Sequence, residues 1–205
     1  PICVWPWVAV AWVHSIQKTG RSGLLWSMAL GVLAALAMLG KYYSGVFLLG
    51  LFLAAFASAP GRAWFMTPKP WLTLFVFGLS LLPHIEWLRS HEFVTLHYVG
   101  EQSSTDGTNW RLLSKFAVAP VGYWLVPWLL CTALSAPKDV SIWQALRTWP
   151  TRMWLSWCPQ GWGDSLFWFA MLPWAITLVF GITGFVELSL PWAIPIGYGF
   201  SLLWL

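Results

Sequence analysis

The chain has 205 residues, of which 59% are hydrophobic and 9% charged, with 19 tryptophans and a formal net charge of +4. Soluble domains carry about 25% charged residues, so the composition excludes an ordinary soluble enzyme and describes a polytopic membrane protein. The basic excess would suggest nucleic acid in a soluble chain, but here it falls in short connections between apolar runs, where it reports membrane topology and no nucleic-acid partner.

Seven apolar segments follow one another along the chain, at about 1–16, 23–40, 42–58, 71–88, 113–135, 164–186 and 190–205. Most approach the ~20 residues that carry a helix across ~30 Å of hydrocarbon. The stretch Leu24 to Leu39 has no charge and hence no polar face of the kind a soluble bundle shows. The predicted fold is all-α, a single polytopic transmembrane helical bundle over residues 1–205 with about seven membrane segments. The first run lacks a basic leader region and a small-residue cleavage site, so it reads as a span and not as a signal peptide. Because apolar runs reach both ends, the chain is expected to be a fragment of a longer protein that lacks the N-terminal part.

Alternating segment directions sort the connections into two sets. One set, about 17–22, 59–70 and 136–163, holds Lys18, Arg21, Arg62, Lys69, Lys138, Arg147 and Arg152. The other holds Lys41, Arg89, Arg111 and Lys115 together with Glu86, Glu92, Glu101, Asp106 and Glu187. The excess of Lys and Arg on cytoplasmic loops assigns the first set to the cytoplasm. Lys41, the loop at about 89–112 and Glu187 then share the outer face.

Lys41 stands alone between two apolar runs. At the bilayer centre an ammonium costs roughly 2.5 to 3.5 kcal/mol on insertion scales, so the turn Gly40-Lys41-Tyr42-Tyr43 belongs at an interface. A lysine there either snorkels to mark the interface or, with two tyrosine hydroxyls beside it, holds a phosphate at headgroup level. Lys41, Tyr42 and Tyr43 are the candidate phosphate-binding residues.

A second concentration of polar chemistry runs from His84 through Glu86, His91, Glu92 and His97 to Glu101. Imidazole and carboxylate can bind a divalent metal or move protons, which makes Glu86, His91, His97 and Glu101 a candidate outer-loop site. Their spacing fits no defined ligand pattern, and a hydrated interfacial loop accounts for most of them. Ser103 to Asn109 reads as a polar turn. Cys3, Cys131 and Cys158 form no C-x-x-C pair and no metal spacing, so they read as packing residues. No Walker loop, G-x-S-x-G or dinucleotide glycine pattern occurs.

The run from Gly31 through Gly40-Lys41-Tyr42-Tyr43-Ser44 to Leu49 resembles the "G-L-A-x-L-S-K-Y-T" helix hairpin of GT-C membrane glycosyltransferases, in the glycosyltransferase family 39 branch of protein O-mannosyltransferases and the lipid A aminoarabinose transferase. Leu82-Pro83, Trp87, His91 and Phe93 are similar to "L-P-x-x-x-W-N-x-x-H-G-W". Glu187, Pro191-Trp192, Pro195 and Tyr198 are similar to "E-x-N-W-x-x-P-x-Y". Leu88, Glu92 and Leu190 depart from these patterns, at an asparagine, a glycine and a second asparagine respectively.

The resemblance implies a transferase, an integral protein of the bacterial inner (plasma) membrane with its site facing the periplasm or exterior. It implies a polyprenyl-phosphate-sugar donor, a lipid, glycan or protein acceptor, and surrounding membrane lipids as partners. Lys41 would hold the carrier phosphate as the glycosidic bond breaks. The catalytic carboxylate of the family would fall upstream of Pro1, so no residue here is expected to act as base, and the fragment alone is expected to be inactive. A polytopic transporter or lipid-linked-sugar flippase is the alternative, since it too would want an outward cation and broken helices.

Overall fold

The structure, a computed structural model, describes residues 3–95, 97, 100, 108–137, 139–159, 161, 164–185 and 188–204. Among the described residues every regular element is helical: α1 (Trp5–Gln17), α2 (Gly20–Gly40), α3 (Ser44–Ala57), α4 (Ala59–Phe65), α5 (Lys69–Ser90), α6 (Trp110–Leu134), α7 (Ile142–Leu155), α8 (Ser165–Ile182), a 3-10 turn (Leu190–Trp192) and α9 (Ala193–Leu203). The expected all-α membrane bundle is what forms.

The count of seven segments needs correction. Four helices, α2, α5, α6 and α8, are long and apolar enough to cross a membrane, and α3 with α4, bent by 108°, adds a fifth if the pair is one span. The first and last apolar segments fold into helices of 13 and 11 residues, roughly 20 and 17 Å long at ~1.5 Å per residue and short of the bilayer core. Hydropathy records how far apolarity runs, not how far one helix runs.

The break after α3 shows the difference. Ser58 leaves the helix in an extended conformation and its hydroxyl accepts a hydrogen bond from Gly61 N at 3.1 Å. Pro60, in the first turn of α4, has no N–H to continue the earlier ladder. The connections expected at 59–70 and 136–163 thus contain the helices α4 and α7. Asn109, Ser141 and Asp164 cap α6, α7 and α8 in the same way.

Packing follows small residues. A Cβ on Gly31 would stand 2.6 Å from Thr73 O and 2.9 Å from Val76 Cβ, so the glycine is what lets α2 lie directly on α5. Gly50 does the same for α3 against Pro173 of α8. The main apolar cluster lies around α1, where Trp5 stacks on Phe47 with centroids 4.3 Å apart, and it includes Val8, Trp12, Leu51 and Phe169. Two smaller clusters join α6, α8 and α9, around Phe116 and Ile196 and around Phe200 and Trp204.

A buried polar chain closes one end of the bundle. Ser15 and Ser27 share a hydrogen bond of 2.8 Å, Trp64 Nε1 donates to Ser15 Oγ at 2.8 Å, and Lys69 Nζ donates to Ser15 O at 2.8 Å and Lys18 O at 2.6 Å. Lys69, expected in a solvated loop, is instead buried and caps the carbonyl end of α1. Arg62 likewise donates to Phe56 O and Ala57 O at the end of α3.

Gly31→Val should drive a branched side chain into α5 and cost about 1–3 kcal/mol, read as a lower melting temperature in detergent. Gly78→Val, where an added Cβ meets nothing within 4 Å, should leave the melting temperature within the scatter of surface substitutions.

Candidate functional site

The end of the bundle opposite Lys69 gathers Lys41, Tyr42 and Tyr43 from the α2–α3 turn, the C-terminal part of α5, the C-terminal end of α8 and the turn Leu190–Trp192. Lys41 caps α2, its backbone N–H bonded to Ala37 O at 3.1 Å. A cation at a helix C-terminus is favourable in itself. Its side chain does more than end a helix, because Nζ lies 4.9 Å from the centroid of the Trp192 ring. Among the described residues Lys41 forms no ion pair. Although the Lys41 side chain is largely exposed, partial desolvation lowers its pKa below the ordinary lysine value, and among the described residues no carboxylate pairs with it; an incoming anion would favour the charged form.

Tyr42 and Tyr43 diverge. The Tyr42 hydroxyl is 2.6 Å from His84 Nε2 and 3.0 Å from Thr95 Oγ1. With one proton to give, it donates in one of these bonds and accepts in the other. Tyr43 turns inward, where its hydroxyl bonds Thr177 Oγ1 and its ring lies 4.7 Å from that of Trp192. Burial raises the Tyr43 pKa, with the bond to Thr177 acting the other way. Tyr43 is therefore a neutral phenol held in place, and Tyr42 is the tyrosine tied to the polar segment after α5.

Of the outer-loop candidates, Glu86 and His91 have their partners outside this cluster. Glu86 is exposed and pairs with Arg89 at 3.7 Å, a solvated pair within one helix turn that contributes little. His91 caps α5, stacks on Trp87 at 4.4 Å and places Nδ1 2.8 Å from Trp87 O. His97 is exposed, and Glu101, like Asp106 and Glu187, lies outside the described residues. Among the described residues no three His, Cys, Asp or Glu side chains gather as metal ligands. The residues that complete the cluster are His84, Thr95, Thr177 and Trp192. His84 and Trp192 stand inside noted sequence patterns, whereas nothing local marks Thr95 or Thr177.

Pro83 stands inside a continuous α5, which turns only after Ser90. Glu92 and Phe93 take left-handed conformations, with φ of 52° and 55°, and Phe93 N bonds back to Leu88 O at 2.9 Å. Glu92 occupies the glycine position of the resembling pattern, so the turn keeps a conformation suited to glycine with a residue for which it is strained, at about 1–2 kcal/mol.

Tyr43→Phe keeps the ring on Trp192 but leaves Thr177 without its phenol partner. It should lower stability by about 1 kcal/mol, seen as a drop in melting temperature that Tyr42→Phe, at the more open position, produces to a smaller extent.

Residues 1–87 match the family model of dolichyl-phosphate-mannose-protein mannosyltransferases. The matched stretch carries Lys41, Tyr42, Tyr43 and His84, while Thr177 and Trp192 lie beyond it. No curated protein and no solved structure matches the chain. The chain is thus a helical protein with four to five candidate membrane spans whose first 87 residues are similar to that mannosyltransferase family.

Proposed function

We propose that the protein is a membrane glycosyltransferase that moves a sugar from a polyprenyl-phosphate-linked donor to a lipid, glycan or protein acceptor at the outer face of the membrane. The observation that carries this reading is the meeting of Lys41 with Trp192. These residues belong to two sequence patterns about 150 positions apart, and the cation between them has no carboxylate to satisfy it among the described residues. The similarity of residues 1–87 to the mannosyltransferase family supports glycosyl transfer; the donor, the acceptor and the membrane face are inferences from the site.

In the reaction the bond between the anomeric carbon and the carrier phosphate oxygen breaks, and the acceptor oxygen forms the new bond as it loses its proton. Negative charge grows on the departing phosphate. Lys41, partly shielded from water at the C-terminus of α2, would stabilise that charge more in the transition state than in the bound donor. The Tyr42 hydroxyl would donate its one proton to the phosphate only by giving up the bond in which it now donates to His84 or Thr95. Trp192 would keep the ammonium extended over the site in the absence of donor.

The outward orientation rests on charge. Arg62, Lys69 and Arg152 lie at the end of the bundle away from Lys41, which supports reading that end as the cytoplasmic one. A bacterial inner membrane, with the site toward the periplasm, suits this arrangement.

The test is release of polyprenyl phosphate from a labelled donor by the full-length protein in membranes. Lys41→Ala should lower turnover by about 10²–10³-fold, the size of effect seen when a donor to a developing anion is removed, with the melting temperature unchanged or raised. Lys41→Arg should recover part of the rate. Undiminished release by Lys41→Ala would overturn the phosphate role. Movement of intact lipid-linked sugar across the bilayer without release of the carrier would instead identify a flippase.

A further inference from the structure

The helix α7 is unlike the rest of the bundle: 14 residues long, it buries none of them fully, yet both ends of its first turn are closed by a capping box between Ser141 and Gln144. A helix with so little packing needs another source of stability. Its side chains fall into three sectors. One sector holds it to the end of α6: Trp149 Nε1 donates to Thr132 Oγ1 at 2.9 Å, and Arg152 donates to Thr132 O at 2.7 Å.

The second sector is apolar and uncovered. At ~100° per residue, Leu146, Pro150, Trp143 and Trp154 lie on one side of the helix, with Trp143 78% and Trp154 72% exposed. The third, adjoining the apolar sector beyond Trp154, carries Gln144, Arg147, Thr148 and Thr151, all exposed, with Leu155 the one apolar residue in it.

We propose that α7 is an in-plane membrane anchor, its Trp143–Leu146–Pro150–Trp154 face seated in the boundary between headgroups and acyl chains at the end of the bundle away from Lys41. The occupant of the apolar face is lipid. α7 is fastened to the last turns of α6, a helix long and apolar enough to cross a membrane that exposes Leu130 and Leu134 at 57% and 82% there, which sets α7 at the membrane edge where lipid is the available cover for an apolar face. Two tryptophans at the border of apolar and polar sectors match the side chain that partitions to this depth. Arg147, one turn after Trp143, can reach lipid phosphates with its stem along the apolar side. The inference does not depend on the transferase reading.

The experiment is spin-label accessibility in the full-length protein, with Cys3, Cys131 and Cys158 replaced by alanine, reconstituted in phosphatidylcholine–phosphatidylglycerol vesicles. Labels on Leu146→Cys and Trp154→Cys should be more accessible to oxygen than to a water-soluble nickel complex, at a shallow depth of about 5–10 Å below the headgroups. Labels on Gln144→Cys and Thr148→Cys should show the reverse, and a label on Val126→Cys of α6 should report greater depth and an intact fold. Leu146→Cys retains both tryptophans, so its result stands even if a tryptophan variant unseats the helix. Nickel accessibility on every face would place α7 in water and overturn the proposal. Labels at 146 and 154 that are immobile and closed to both probes would also overturn it, because protein would then cover the face.

Discussion

Tyr43 is where the two parts of the bundle meet. Its ring packs against the cluster around α1 and against the cluster joining α6, α8 and α9, and its hydroxyl bonds Thr177 across 134 residues of chain. A buried phenol requires such a partner, since an unpaired one would cost about 1–3 kcal/mol. The bond therefore fixes α3 on α8 near the membrane edge, and the close contact of Gly50 with Pro173 continues that alignment into the bundle. Lys41 and Tyr42 are adjacent in the same turn, so their positions follow from how Tyr43 is seated.

This arrangement leaves a largely exposed cation facing an aromatic ring. The contact with Trp192 is worth about 0.5–2 kcal/mol, less than a charge-assisted bond to phosphate would offer. A phosphate bound as proposed would displace the ring from its role without breaking any ion pair among the described residues. A carboxylate in place of Trp192 would stabilise the free protein and compete with the ligand.

The sequence made some of this legible and concealed the rest for physical reasons. The lone charge at Lys41 and the two tyrosines after it identified the turn, because a charge between apolar runs has few places to go. Long apolar runs did not reveal where helices stop: Ser58 and Pro60 break one run, and α1 and α9 are too short to span. Lys69 read as a solvated loop residue because its partners, the carbonyls of Ser15 and Lys18, are backbone groups with no sequence signature. Thr177 was invisible for a similar reason, since a threonine in an apolar helix more often bonds its own preceding turn, as this one also does through Pro173 O at 2.7 Å. Among the His and Glu residues, composition suggested a shared site, whereas the structure gives His84 to Tyr42, folds His91 onto Trp87 and leaves Glu86 with Arg89.

The burial of Lys69 bears on the order in which the chain can assemble. Its ammonium is satisfied by carbonyls at the end of α1, 51 and 54 positions earlier. Until α1 has docked, α5 would have to keep that charge in water or at the headgroups, because an ammonium taken alone into hydrocarbon is strongly disfavoured. The lysine thus delays the seating of α5 against α2 until the α1–α2 hairpin exists. Assembly from the N-terminal side, in the direction of synthesis, is then the route that never strands a charge.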